Sequence, residues 1–552
     1  MSNEVRNFVW YCVHSMCFMQ MILFIFHRIV YSLKYRYKKP TAQYPVNVRK
    51  VWEKIGIKEN KGAVTQYEQR SIKSRKLKLA YGFFEYEEVP DWLHTFNDPE
   101  QCMSLHRWGW LVYDDIGTEE GIALMRSWIG VMSPIPKGIP GTSYTTGERI
   151  VNALLFCAKR NIIIPTDVHD ALVIMTFHLA RNIEYHGVRG TGNHVVNNAR
   201  ALFFAGQEFK IKELSMLALT VLKDALPWLI TKDGFLREES SHYHLLFTRW
   251  IVEIYELAKN TEHKEIEAYL RPWVKKLAER CLFFMVCNEQ SGEWQIPLIG
   301  DVSPDCTPQW LIQYLLSLSS FSVMKGAHTK NKMQAFPESG WFRFELCRLI
   351  IFWHIPQGNM IHRATHGHAD VCSFVLFSNG VPILVDLGRP TYKTDDALYE
   401  HSGSARAHNS IIVDGFDPFL YDRAQKFPEF YQKRNSKVYW QEDGGSLHFS
   451  IEHVGFHRII NDVVDHTRHF YIRDGFLEIH DEFRGNHSHR VETFFHEAPG
   501  SEIRLTVNSQ LSTIQQVEDY ISPQYGATLP SSTLIVRSDV RFPTTICYRL
   551  EV

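Results

Sequence analysis

Residues 363–388 read RATHGHADVCSFVLFSNGVPILVDLG, and they decide the fold of the half of the chain that holds them. An apolar run over 371–377 meets Asn379-Gly380, a dipeptide suited to the left-handed positions of a two-residue hairpin turn, and a second apolar run starts at Val381. Gly367 frees the backbone between His366 and His368, and Asp386 closes the second run beside Gly388. Residues 402–415, SGSARAHNSIIVDG, then put His408 just before another apolar segment. A strand, a tight turn and a strand followed by more of the same predict antiparallel sheet.

The same texture extends outward. Residues 341–355 (WFRFELCRLIIFWHI), 436–454 (SKVYWQEDGGSLHFSIEHV), 469–483 (HFYIRDGFLEIHDEF), 490–498 and 533–538 alternate or run apolar, with GG and DG turns inside them. This predicts a large antiparallel β domain, a sandwich, over 331–552. Upstream of about residue 330 the period changes. Apolar residues recur at helical spacing over 150–157, 168–179, 195–204, 214–229, 243–258, 266–284 and 310–318, which predicts an all-α domain of stacked hairpins over 61–330.

Residues 8–33 are largely apolar but interrupted by His14, Ser15, Gln20, His27 and Arg28, and Lys34, Arg36, Lys38 and Lys39 follow. No basic start with a small-residue cleavage site marks a signal peptide. Residues 1–60 are therefore expected to form an amphipathic helix on the body or a peripheral or single membrane anchor.

The 552 residues carry 60 basic and 61 acidic side chains, a formal charge of −1, so no global field favours a nucleic acid. The 10 cysteines include no CxxC and lie partly in apolar runs, the pattern of buried free thiols. Histidine is the outlier, at 27. His-x-His occurs at 242/244, 366/368 and 487/489, so the pattern alone selects none of them. The middle pair has the strand-end setting in which His368, Asp386 and His408 could supply two imidazoles and a carboxylate to a tetrahedral zinc; strand-end histidines without metal are the alternative. In residues 190–206, GTGNHVVNNARALFFAG, Asn193 and His194 stand where a Gly-rich loop meets a helix, able to hold an anion or to cap the helix. In DGFLREESSHYH (233–244) a turn leads into a helix with Tyr243 in its first turns, as a reactive phenol or a packing residue.

Taken together, HGHAD, LVDLG and RAHNSIIVDG in that order, with GNH, DGFLREESSHYH and IGDVSP before them, resemble the heparinase II/III family of bacterial polysaccharide lyases over roughly residues 90–550. The resemblance implies an incomplete (α/α) toroid followed by an antiparallel β-sandwich, with a cleft between them. It assigns Asn193 and His194 to the carboxylate of an acidic polysaccharide, Tyr243 and His366 to proton transfer, and His368, Asp386 and His408 to a structural zinc. β-Elimination requires these parts. The uronate carboxylate must be neutralised before C5 gives up its proton, a base must take that proton, and an acid must protonate the departing 4-oxygen. A phenol with a reference pKa of ~10 is the better acid and an imidazole at ~6.5 the better base, so Tyr243 is expected as acid and His366 as base when the proton and leaving group lie on opposite faces. On one face, Tyr243 could do both.

The family implies a cell envelope or periplasm, and the absence of a clear export signal leaves a cytoplasmic or membrane-associated setting as the alternative. Two rival functions remain at this stage. A hydrolase would use carboxylates such as Glu238, Glu239 or Asp301, and a non-catalytic glycan-processing protein of a surface-polysaccharide assembly system would keep the cleft without the chemistry.

Overall fold

The computed structural model describes residues 75–551 apart from 113–115, 186–190, 319–331, 356–365, 420–435, 444, 460–461, 474 and 509–510. The expected leader, 1–60, lies outside the described residues. A short hairpin, β1 (Arg75–Lys78) and β2 (Phe83–Tyr86), opens the described chain. Helices follow: α1 (Pro99–Arg107), α2 (Thr118–Met132), α3 (Ser143–Lys159), α4 (Thr166–Arg181), α5 (His194–Glu208), α6 (Lys212–Leu229), α7 (Ser241–Asn260), α8 (Lys264–Phe284) and, after the small pair β3 (Val286–Cys287) and β4 (Trp294–Gln295), α9 (Pro308–Ser317).

Helices α1, α3, α5, α7 and α9 pack successively on one another, while α4, α6 and α8 each back an inner neighbour. This two-layer ring has a sequence cause. Inner helices are enclosed on every side, so α3 and α7 bury nearly all their residues, whereas α6 and α8 keep a polar face. Enclosure also forces charge into pairs. Arg200 of α5, fully buried, is held by Glu148 of α3 at 2.8 Å and by Glu253 of α7.

The β-rich half holds two sheets. The larger has the order β17 (Ser512–Gln524), β18 (Ala527–Arg541), β15 (Ser488–Glu497), β9 (Val381–Leu384), β8 (Val375–Ser378), β7 (Leu349–His354), β6 (Trp341–Leu346), β5 (Met333–Phe336), with β10 (Ile411–Val413) also on β15. The smaller has the order β11 (Lys437–Asp443), β12 (Ser446–His453), β13 (Asp465–Arg473), β14 (Phe476–Arg484), β19 (Thr544–Glu551), β16 (Arg504–Val507). The expected tight turn joins β8 to β9, with φ of 51° at Asn379 and 75° at Gly380.

Strand β6 shows how the layers join, because all six of its residues are buried. Phe342 and Phe344 face the second sheet and share a core with Trp353, Phe449 and Phe470; the Trp353 and Phe449 rings stack at 4.3 Å. Trp341 faces the other way, edge-on to Phe284 at the end of α8. The nine-stranded sheet is thus the middle layer, covered by the helical ring on one face and by the six-stranded sheet on the other. Among the described residues no helix is long and apolar enough to cross a membrane, and all eight described cysteines are free thiols.

Candidate active site

Four segments distant in sequence converge where the two halves meet. Ser240 caps α7, its hydroxyl accepting from the Tyr243 backbone N–H at 3.1 Å, and the same hydroxyl donates to the carbonyl of Asp301 at 2.7 Å. The residue 366 backbone then joins from the β side: its N–H reaches the Glu238 carbonyl (3.2 Å) and its carbonyl accepts from the Asp301 N–H (2.9 Å). This close approach requires Gly367, where a Cβ would lie 2.4 Å from the Glu239 carboxylate, and Gly300, at φ 77°, where one would lie 2.7 Å from the His366 carbonyl.

The side chains follow from that docking. Oδ2 of Asp301 lies 3.0 Å from Nδ1 of His366, and Oδ1 lies 2.9 Å from Nε2 of His368. One carboxylate therefore holds both histidines of HGH, in keeping with their shared direction two residues apart. Arg389, completely buried, donates from Nε to the same Oδ1 at 2.6 Å. With Nδ1–H donated to Asp301, the basic nitrogen of His366 is Nε2. That atom lies 3.4 Å from the Asn193 amide nitrogen and 3.5 Å from Oε2 of Glu238.

Asn193 stands just before α5 with helical backbone angles, and its side chain does not cap the helix. Its backbone N–H donates to Oε1 of Glu238 at 2.7 Å and its amide to Oε2, which leaves the second amide hydrogen on the side of His366. The Tyr243 ring lies flat against the His366 imidazole, with 3.5 Å between centroids and 13° between planes. Its hydroxyl is 3.2 Å from that of Tyr392, whose own O–H reaches the Val302 carbonyl at 3.3 Å, so Tyr243 is the donor of the pair. Burial raises the pKa of Tyr243 well above that of an ordinary phenol, and the charge of Asp301 adds to the effect. The phenol is held protonated.

His194 is turned instead toward Glu184, 3.4 Å from Nδ1, and its ring lies 4.2 Å from that of Tyr144. Desolvation opposes its charged form, but Glu184 and, more remotely, Glu238 outweigh this and raise its pKa. Tyr144 in turn contacts Asp305, which Arg107 grips at 2.6 Å.

Of the expected metal set, Asp386 and His408 touch and His368 lies beside His408, but the ligand atoms of the three do not all lie within 4.8 Å of one another. His368, Asp386 and His408 are all buried, Nδ1 of His408 lies 3.0 Å from Oδ2 of Asp386, and the two imidazoles are 5.1 Å apart. Two donors on a tetrahedral zinc at about 2.0–2.1 Å lie roughly 3.3 Å apart, so the Asp386–His408 contact fits. With Nε2 of His368 on Asp301, Nδ1 is the atom it can offer, with Asp301 as the carboxylate that orients a metal-bound imidazole. Burial pushes the pKa of His368 down to about 3, which keeps the ring neutral as a ligand must be.

Among the described residues, the three donors whose ligand atoms already lie within 4.8 Å of one another are a different set, Cys372, His453 and His466. Their hydrogen bonds argue against a metal there. The Gly455 N–H donates to Nδ1 of His453, so His453 carries its proton on Nε2, donates it to Nδ1 of His466 (2.8 Å), and His466 donates from Nε2 to Asp481 (2.9 Å). Both rings are neutral and engaged. The other two His-x-His pairs are also structural: His242 accepts from the Ser303 N–H and His244 from the Leu236 N–H, while His489 sits between Asp414 and Asp462.

Asp301, Arg389 and Tyr392 in their holding roles escape a reading of the sequence, as does Glu238. Glu238 and Asp301 are visible there only as carboxylates, and their partners lie 45 and 65 positions away.

Residues 328–545 match the family described as Heparinase II/III-like, C-terminal. This C-terminal part of the chain is similar to that family. The likeness of fold extends over the helical half as well. A crystal structure of heparinase III aligns with 84% of this chain and 78% of its own, at a TM-score of 0.67 and 17% identity. A heparan sulfate lyase from Pedobacter heparinus aligns with 95% of this chain and 87% of its own, at a TM-score of 0.53 and 14% identity. No curated protein sequence matches. The chain thus has the toroid-and-sandwich fold, with Asn193, Tyr243 and His366 where its two halves meet.

Proposed function

We propose that the protein is a polysaccharide lyase that cleaves a uronic-acid-containing polysaccharide by β-elimination. The observation that carries this reading is the contact set of His366: Asp301 on Nδ1, Asn193 beside Nε2, and the protonated Tyr243 flat on its ring. Asn193, with His194 at the rim, takes the uronate carboxylate, and the hydrogen bond strengthens as charge moves onto it in the enolate-like transition state. His366 Nε2 accepts the C5 proton. Tyr243 donates to the departing 4-oxygen, and Tyr392 orients its hydroxyl. The products are a new reducing end and a 4,5-unsaturated uronate.

A zinc held by His368, Asp386 and His408 has a structural part in this reading. It ties three strand-end segments together and, through Asp301, fixes the aim of His366. A cell-envelope or periplasmic setting belongs to the same reading and rests on the family resemblance, with a cytoplasmic or membrane-associated setting as the alternative; fractionation of cells expressing the full chain tests it.

Hydrolysis is disfavoured by what its carboxylates are doing. Glu238 and Asp301 are buried and already hold Asn193, His366, His368 and Arg389, whereas a hydrolase needs two carboxyl groups open to the bond on either side. The test is ultraviolet absorbance of the products across a panel of uronate polymers.

A further inference from the structure

His194 is the first residue of α5, a poor place for a cation, because the unpaired N–H groups of a helix N-terminus put partial positive charge beside it. The structure nevertheless surrounds the ring with what a cation needs. Glu184, in the segment after α4, faces Nδ1 at 3.4 Å. That carboxylate is itself held from α5, one turn beyond His194: the fully buried Asn198 accepts from the Glu184 N–H at 2.9 Å and donates its amide to Oε2 at 3.4 Å. The Tyr144 ring of α3 lies 4.2 Å from the imidazole between centroids, tilted by 37°, within reach of a cation–π contact.

Tyr144 is buried and fixed in its turn. Its hydroxyl donates to Oδ2 of Asp305, whose Oδ1 is gripped by Arg107 at 2.6 Å, and Arg107 also reaches Glu100 at 3.2 Å. These groups complete the charge around His194: Glu184, Glu238, Glu100 and Asp305 favour the imidazolium, and Arg107 opposes it. The His194 side chain still keeps 50% of its surface exposed, so the ring is held yet open to a ligand.

We propose that Glu184 and Tyr144 are positioning residues for the substrate carboxylate: they hold the His194 ring as a cation at the rim of the site, with its Nε2–H for the uronate. This rests on the lyase reading above. The tautomers give the reason. A neutral ring beside Glu184 carries its one proton on Nδ1 and offers the substrate only a lone pair at Nε2, which repels a carboxylate. Only the imidazolium donates to Glu184 and to the uronate at once. Glu184 therefore sets the charge of the ring, Tyr144 sets its plane, and Arg107 with Asp305 holds Tyr144.

The test is a nuclear magnetic resonance titration of the full chain carrying isotope-labelled histidine, with the His194 signal identified by its loss in His194→Gln. Its midpoint should lie above the ordinary ~6.5. Glu184→Gln should lower it by about one pH unit. Tyr144→Leu, which keeps the burial, should lower it by about half a pH unit, and Tyr144→Phe, which keeps the ring, should restore it. The alkaline limb of kcat/KM on the best uronate polymer should move down with the midpoint in Glu184→Gln, a loss of about tenfold on that limb. A midpoint unchanged in both Glu184→Gln and Tyr144→Leu overturns the positioning roles. A midpoint that moves while the alkaline limb stays in place overturns their part in substrate binding. A shifted midpoint without any unsaturated product refutes the lyase reading and leaves the held cation standing.

Discussion

Nδ1 of His366 lies 3.0 Å from Oδ2 of Asp301, a carboxylate supplied by the helical half to a histidine supplied by the β half. The pair fixes the tautomer in which Nε2 is the base. Asp301→Asn should lower kcat by roughly 10⁴-fold, the scale of loss when a buried carboxylate behind a histidine base is neutralised. It should also lower the melting temperature, because Arg389 loses its buried anion. Steady-state kinetics with a thermal melt check both; full activity would show that the carboxylate does not orient the base.

Glu238 acts one contact further out, holding the backbone and side chain of Asn193 together. Hydrogen bonds to a charged group contribute about 1.5–3 kcal/mol, so Glu238→Gln should cost roughly 10- to 150-fold in kcat/KM. The fold should survive, since glutamine keeps one acceptor for the Asn193 N–H. Kinetics on the best polymer, with circular dichroism as control, measure this.

Zinc analysis of the purified protein should give one ion per chain, lost in His408→Ala. Chelation should lower the melting temperature before it lowers the rate of the residual folded protein. Zinc-free protein with unchanged melting and full activity would remove the metal from the site.

Burial pushes the pKa of His106, His242 and His244 down to about 3, and each accepts a hydrogen bond at Nδ1. The unfolded chain protonates these rings near pH 6.5 and the native chain does not until about pH 3. Between those values the unfolded state binds more protons, so stability falls as pH falls, by about 1.4 kcal/mol per unit for each ring. Urea unfolding followed by tryptophan fluorescence should show this slope, and His242→Asn, which keeps an acceptor for the Ser303 N–H, should remove one proton's worth of it. An unchanged slope would show that His242 titrates normally.

The change from helix to sheet is legible because period and turn chemistry both switch: the seven expected helical segments fall on α3 to α9, the last running one residue past its helix, and Asn379-Gly380 turns β8 into β9. Helices α1 and α2 were not among those segments, and α1 is too short for periodicity to announce it. At the site, Asn193, Tyr243 and His366 meet, and His194 turns to Glu184. What no local pattern carries is the holding layer. Asp301 reaches His366 and Arg389 across 65 and 88 positions, and Tyr392 reaches Tyr243 across 149, so only the closed interface between the two halves reveals them.

The most direct measurement is product absorbance when the intact chain is incubated with uronate polymers, read beside a reducing-end assay. The expected result is that both signals rise together on at least one acidic polymer and that both vanish in Tyr243→Phe, while that variant still binds the polymer. Reducing ends that accumulate without ultraviolet absorbance, or equal turnover by Tyr243→Phe, would contradict elimination at this site.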